Sequence, residues 1–130
     1  MNAPNQSAVR ARGGCLCAGV RYEIRGPLRD VIACHCSQCR KTSGHFVAAS
    51  QAQDSDIVLT ESATLKWYRS SPEAERGFCS RCGGNLFWRP EGRVPPVTSI
   101  MAGTLDAPTG LKLIEHIFVE DKSDYYGIDR

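Results

Sequence analysis

The stretch GFCSRCGGNLFW, residues 77–88, holds two cysteines two residues apart, then two glycines, between short apolar runs. The spacing of Cys79 and Cys82 lets the backbone turn so that both sulfurs face one ion. Gly83 and Gly84 permit the positive-φ conformation that closes such a knuckle. Phe78 precedes the pair and Asn85-Leu86-Phe87-Trp88 follows it, which predicts a hairpin turning at a metal site.

Outward from this hairpin the chain reads as short strands between turns. Val20 to Arg25 alternates apolar and charged residues, the pattern of a half-buried strand, and Gly26-Pro27 ends it. Val31-Ile32-Ala33 leads into a second cysteine-rich stretch, and Phe46 to Ala49 leaves it. Ile57-Val58-Leu59 and Leu65 to Tyr68 flank Thr60 to Ala63 and read as a hairpin. Val97 to Ala102 and Leu111 to Val119 complete about eight strand candidates, with Pro95, Pro96 and Pro108 outside the runs. Ser37 to Thr42 is expected to form one helical turn, and Tyr125-Tyr126-Gly127 to pack back on the sheet. The fold class is therefore mainly β.

At 130 residues and 14.3 kDa the chain is expected to form a single domain, residues 12–130, after a flexible N-terminal lead at residues 1–11. The hydrophobic fraction of 42% and charged fraction of 23% are those of a soluble globular protein. No run approaches the roughly eighteen apolar residues of a membrane span. The opening MNAPNQSAVRARGG has no apolar core of a signal peptide, so a cytoplasmic location is expected. In a reducing compartment an odd set of seven cysteines favours metal over disulfides. The formal charge of +2 counts every thiol as neutral; seven thiolates with two zinc ions lower it by three, to about −1. Neither a nucleic-acid nor a membrane partner is expected.

The thiols fall into three groups: Cys15 with Cys17, Cys34 with Cys36 and Cys39, and Cys79 with Cys82. Joining the first and last makes a closed four-sulfur site with no position for substrate. Joining Cys36 and Cys39 to Cys79 and Cys82 is the rival, a ribbon-like site whose gap exceeds the usual span of about fifteen to twenty residues. Spacing alone leaves both open.

GGCLCAGVRY, CHCSQCRKTSGHF, GFCSRCGGNLFW, GTLDAP and HIFV, in that order, resemble the glutathione-dependent formaldehyde-activating enzyme and centromere protein V family, from about Arg12 to about Val119. The resemblance implies a single-domain β-tent of short antiparallel sheets and two zinc ions. It assigns Cys15, Cys17, Cys79 and Cys82 to a structural zinc, and Cys34, Cys36 and Cys39 to the second zinc.

Three protein ligands with a free position is the arrangement of catalytic zinc sites. Three thiolates leave the centre anionic, which makes it a poor generator of hydroxide and a better holder of another thiol. The family's reaction, addition of glutathione to formaldehyde, fits a carbon–sulfur lyase run in reverse. Arg40 and Lys41 are candidates for the carboxylates of glutathione, or for offsetting the charge of the zinc centre. His45 is a candidate fourth ligand; His35, flanked by two ligands, is expected to point away and hydrogen-bond a ligand thiolate. His116 is expected to be a packed strand residue, Asp106 to end a strand or cap a turn, and Phe46, Trp67, Phe87 and Trp88 to be core. The alternative function is a non-catalytic, zinc-stabilised protein-binding module. The partner expected for the enzyme is a small thiol, and either a single chain or a homodimer satisfies the pattern.

Overall fold

A computed structural model describes residues 7–129. Its regular elements, in chain order, are β1 (Ala11–Gly14), β2 (Arg21–Ile24), β3 (Val31–Cys34), α1 (Ser37–Ser43), β4 (Val47–Gln53) and β5 (Ile57–Glu61). They continue with β6 (Leu65–Ser71), β7 (Ala74–Cys79), β8 (Asn85–Pro90), β9 (Val97–Met101) and β10 (Leu113–Ile117). The domain is mainly β, built from a three-stranded sheet ordered β1-β2-β5 and a seven-stranded sheet ordered β10-β3-β4-β9-β8-β7-β6. Pairing is antiparallel except between β10 and β3, which run parallel. Residues 1–6 of the expected lead lie outside the described residues. At its other end the Arg10 amide already donates to the Ile24 carbonyl at 2.7 Å, beside β1.

Alternation along the strands separates two jobs. One row across the large sheet pairs Ser50, Ile100, Phe87, Gly77 and Trp67; the next pairs Gln51, Ser99, Trp88, Arg76 and Tyr68. Neighbours in sequence point to opposite faces, so the two rows belong to different environments. The first faces the small sheet and makes the core: Val20, Tyr22 and Ile24 meet Leu86, Phe87 and Ile100, all buried. The Tyr22 ring lies edge-on to Phe87 at 5.5 Å, and its hydroxyl reaches the Thr104 hydroxyl at 2.7 Å, which supplies the partner a buried phenol requires. Trp67 stacks on Phe87 at 5.9 Å, with the Arg89 guanidinium 3.8 Å from the centre of its ring. The second row faces away from this core.

The hairpin read at Thr60 to Ala63 does not form. β5 pairs with β2 in the small sheet, whereas β6 pairs with β7 in the large one. Tight hairpins need residues that accept positive φ, and Glu61-Ser62-Ala63-Thr64 offers none. Instead the Glu61 carboxylate accepts from the Ser62 and Ala63 amides at 3.0 Å, and the Ser80 amide donates to the Thr64 carbonyl at 2.7 Å. The chain thus crosses between sheets and enters β6 beside Cys79. The hairpin at residues 77–88 forms as β7 and β8.

Gly13 sits where the sheets close: a Cβ there would overlap the Thr104 carbonyl and the Tyr22 hydroxyl, whereas Gly103 has no atom within 4 Å of the same position. Gly13→Ala is expected to lower stability by about 1–3 kcal/mol. Gly103→Ala should change it by less than about 0.5 kcal/mol. Denaturant titration of the two variants measures the difference.

Candidate metal centres and the adjoining cavity

The structure brings Cys15, Cys17, Cys79 and Cys82 together, with all four sulfurs within 4.8 Å of one another. Cys79 ends β7, where its amide donates to the Gly84 carbonyl at 3.0 Å and the Gly83 amide, at φ 77°, returns to the Cys79 carbonyl at 2.8 Å. This turn aims the Arg81 and Cys82 amides at the Cys79 sulfur, each at 3.3 Å. Cys15 and Cys17 lie on the turn after β1, where Ala18 adopts φ 64° and the Val20 amide donates to the Cys15 sulfur at 3.3 Å. The contacts of Cys17 with Cys15 at 3.7 Å and with Cys79 at 3.6 Å are non-bonded, and all seven thiols are free.

Donors surround these sulfurs. The Thr64 hydroxyl, ahead of the Cys82 and Arg81 amides, pulls the Cys79 thiol down to about 5 against the effect of burial. The Gly19 amide and then the Arg81 guanidinium, 3.2 Å from the Cys17 sulfur, lower the pKa of Cys17. Burial raises that of Cys15. Groups that favour thiolate are what a cation-binding sulfur set needs.

A second group joins Cys34, Cys36 and Cys39, again with sulfurs within 4.8 Å. Cys34 ends β3; Cys36 caps α1, its sulfur accepting from the Cys39 amide at 3.3 Å; Cys39 is buried inside the helix. Gly44 closes α1 at φ 82°, its amide donating to the Arg40 carbonyl. Hydrogen bonding from Cys39 leads in pulling Cys34 down to about 6, and Cys39 is pushed up in turn, by Cys34 first and burial next. Among the described residues no histidine or carboxylate joins these three sulfurs.

The histidines have other partners. His35 is fully buried behind the sulfurs, its Nδ1 2.6 Å from the Tyr126 hydroxyl and its Nε2 2.9 Å from His116 Nδ1. Both ring nitrogens are occupied by side chains, and neither bonds a cysteine sulfur. His45 is exposed; its Nδ1 meets the Tyr125 hydroxyl, its ring stacks on Tyr125 and it lies tilted against Phe46. The C-terminal tyrosines therefore fold back against the loop that carries Cys34 and Cys36. Asp106 pairs with Arg21 at 2.8 Å and belongs to neither sulfur group.

On the outer face of the large sheet lies a cavity of about 540 Å³, and Cys34, Cys36 and Cys39 form part of its wall. The row Gln51, Ser99, Trp88 and Arg76 makes its floor, with Met101 and Phe118 alongside. None of the four sulfurs of the other group reaches it. Arg40 and Lys41 follow Cys39 on α1, half-buried and exposed respectively, and do not line the cavity. Its charged residues are Arg29, Arg76, Arg93 and Glu73. Sequence reading missed these arginines and treated Trp88 as core. The signal available was parity: Arg76 precedes Gly77 on a strand, and its neighbours two residues away, Ala74 and Phe78, share its face.

The model of the family named glutathione-dependent formaldehyde-activating enzyme matches residues 10–121, and the chain belongs to that family. It is 29% identical over 115 residues to an uncharacterized lyase of Schizosaccharomyces pombe, covering 88% of this chain and 82% of that one. The crystal structure of a Rhodobacter sphaeroides protein superposes with a TM-score of 0.65 at 25% identity, covering 81% of this chain and 98% of that one.

The buried bond between Tyr126 and His35 gives a measurable expectation. Tyr126→Phe leaves a buried ring nitrogen unpaired and should reduce stability by about 1–3 kcal/mol in denaturant titrations. Tyr125→Phe, opposite the exposed His45, should cost less than about 1 kcal/mol, because water replaces the lost partner.

Proposed function

We propose that the protein is a zinc-dependent carbon–sulfur lyase-type enzyme of the S-(hydroxymethyl)glutathione synthase kind, joining an external thiol such as glutathione to formaldehyde or a related aldehyde. The observation that carries the reading is the contrast between the two sulfur groups. Four thiols converge away from the cavity, whereas three converge in its wall with no fourth side-chain ligand among the described residues.

Both donor sets fit zinc. Four cysteine sulfurs within 4.8 Å of one another match a closed tetrahedral shell, so Cys15, Cys17, Cys79 and Cys82 would hold a structural ion. Cys34, Cys36 and Cys39 would hold the second, which when bound supplies Lewis acidity that favours the thiolate form of a sulfur brought to its open position. The chain's own residues supply the rest. The Cys39 amide and the Arg76 guanidinium, 3.9 Å from the Cys39 sulfur, face the anionic thiolates; Arg40 and Lys41 add positive charge from the same helix. His35, held between Tyr126 and His116, braces the bend between Cys34 and Cys36. Trp88, Met101 and Phe118 narrow the space for water, and Gln51 and Ser99 offer hydrogen bonds to a polar substrate. In the reaction the substrate sulfur's electron pair forms a bond to the aldehyde carbon, the carbonyl π bond breaks with its pair moving to oxygen, and the thiol proton ends on that carbinol oxygen.

Three experiments bear on this reading. Graded chelation with metal analysis should remove the metal in two steps, since three thiolates and an exchangeable ligand hold less firmly than four. Cys36→Ser should then give a folded protein lacking only the labile equivalent, and Cys79→Ser a protein that loses cooperative melting. Equal collapse of both variants would overturn the division of labour. In the cobalt-substituted protein, glutathione should raise the sulfur-to-cobalt charge-transfer band and shift the visible bands. A spectrum unmoved by glutathione or by small thiols would mean a closed site and favour the protein-binding module.

A further inference from the structure

A guanidinium presents five donors and cannot shed its charge, so burial ordinarily goes with pairing. Arg76 departs from this. It is 7% exposed, its nearest polar contact is the Cys39 sulfur at 3.9 Å, and its Nε is buried with no hydrogen-bond partner. Its place in β7, directly across from Trp88 in β8, puts it on the cavity face of the sheet, and it lines the cavity beside the three sulfurs. Glu73, the acidic residue of the same lining, is exposed and makes no ion pair with Arg76 among the described residues. Arg29 already donates from Nε to the Asp30 carbonyl and from Nη2 to the Ala49 carbonyl. Arg93, exposed on the loop after β8, stands at the rim.

We propose that Arg76 anchors a carboxylate of the substrate, so that the cavity selects thiols that carry a carboxylate over neutral thiols of the same shape. The proposal rests on the reading that an external thiol enters the three-cysteine site. A carboxylate supplies the paired acceptors that a planar fork requires, and Arg93 adds positive charge on the side from which an acid approaches. Arg76 lines the cavity beside the sulfur group, 3.9 Å from the Cys39 sulfur, so an acid held by it keeps its own sulfur within reach of Cys34, Cys36 and Cys39. The competing role is confined to the cluster: the guanidinium would offset thiolate charge and be indifferent to the substrate's own charge.

The test uses the full-length, cobalt-loaded protein titrated with 3-mercaptopropionate and with 3-mercaptopropionamide, near-isosteres that differ in charge. Wild type should bind the carboxylate about tenfold to a hundredfold more tightly, the worth of one charge-assisted pair. Arg76→Gln should bring the two within about twofold by weakening the acid alone, and Arg76→Lys should keep part of the preference. Three results would overturn the proposal: equal binding of the two thiols by wild type, a preference that survives Arg76→Gln, or an equal loss for both thiols in that variant. Should Arg76→Gln not retain cobalt, Arg76→Lys decides, and an undiminished preference there counts against the anchor. If neither thiol perturbs the wild-type spectrum, the external-thiol reading fails along with the inference; if both perturb it equally, the inference alone fails.

Discussion

The convergence of four cysteine sulfurs is the constraint on which the arrangement of the domain depends. Cys15 and Cys17 lie on the turn that joins the strands of the small sheet; Cys79 and Cys82 lie on the turn between β7 and β8 of the large one. The Cys17 and Cys79 sulfurs are 3.6 Å apart across a sequence separation of 62 residues. Closing a loop of that length carries an entropic cost that thiol contacts by themselves do not offset, whereas a shared tetrahedral ion would. With the turns joined, Tyr22 and Ile24 are brought over Phe87 and Ile100, and Asn85 donates to the Thr42 carbonyl at 2.8 Å, fastening β8 to the helix that carries Cys39. One sulfur group thus sets the platform on which the other is displayed.

The second group is shaped by a different economy of bonds. Cys34, His35 and Cys36 alternate at the end of β3, so the two sulfurs turn one way and the imidazole the other. The imidazole enters a buried chain through His116 and Tyr126, which draws β10 and the C-terminal segment into the support of the loop. Parallel pairing of β10 with β3 places His116 beside Ala33, at the height where His35 turns inward. A polar network that is satisfied at both ring nitrogens holds a single geometry, and with it the positions of the sulfurs on either side.

Much of this was legible in the residues. The two-residue spacing of Cys79 and Cys82 before Gly83 announced the β7–β8 hairpin, and the alternation from Val20 to Ile24 announced β2 with its buried face. The sorting of seven thiols into four and three was not fixed by spacing, and came from the family resemblance. The crossing between β5 and β6 was illegible because the turn residues, read as a short link, carry no hairpin chemistry, and the partner of β5 lies in β2 far away in sequence. Arg76 was hidden for a related reason: its meaning depends on which face of β7 looks outward, and that follows from the register with β8 and β9. The histidines were read one by one, whereas their partners, Tyr125 and Tyr126, return from the far end of the chain.

The paired rows of the large sheet have a consequence for how such a protein can diverge. Ile100 and Ser99, Phe87 and Trp88, Gly77 and Arg76 are adjacent codons with separate duties, one member committed to the interior and the other to the cavity. A substitution at the outward member changes what the cavity meets while leaving the packed layer beneath it intact. A lineage can therefore exchange Ser99 or Trp88 for other side chains without first accumulating spare stability. Both sulfur groups would stay fixed while the surface between them drifts, so relatives that share every cysteine need not share a substrate.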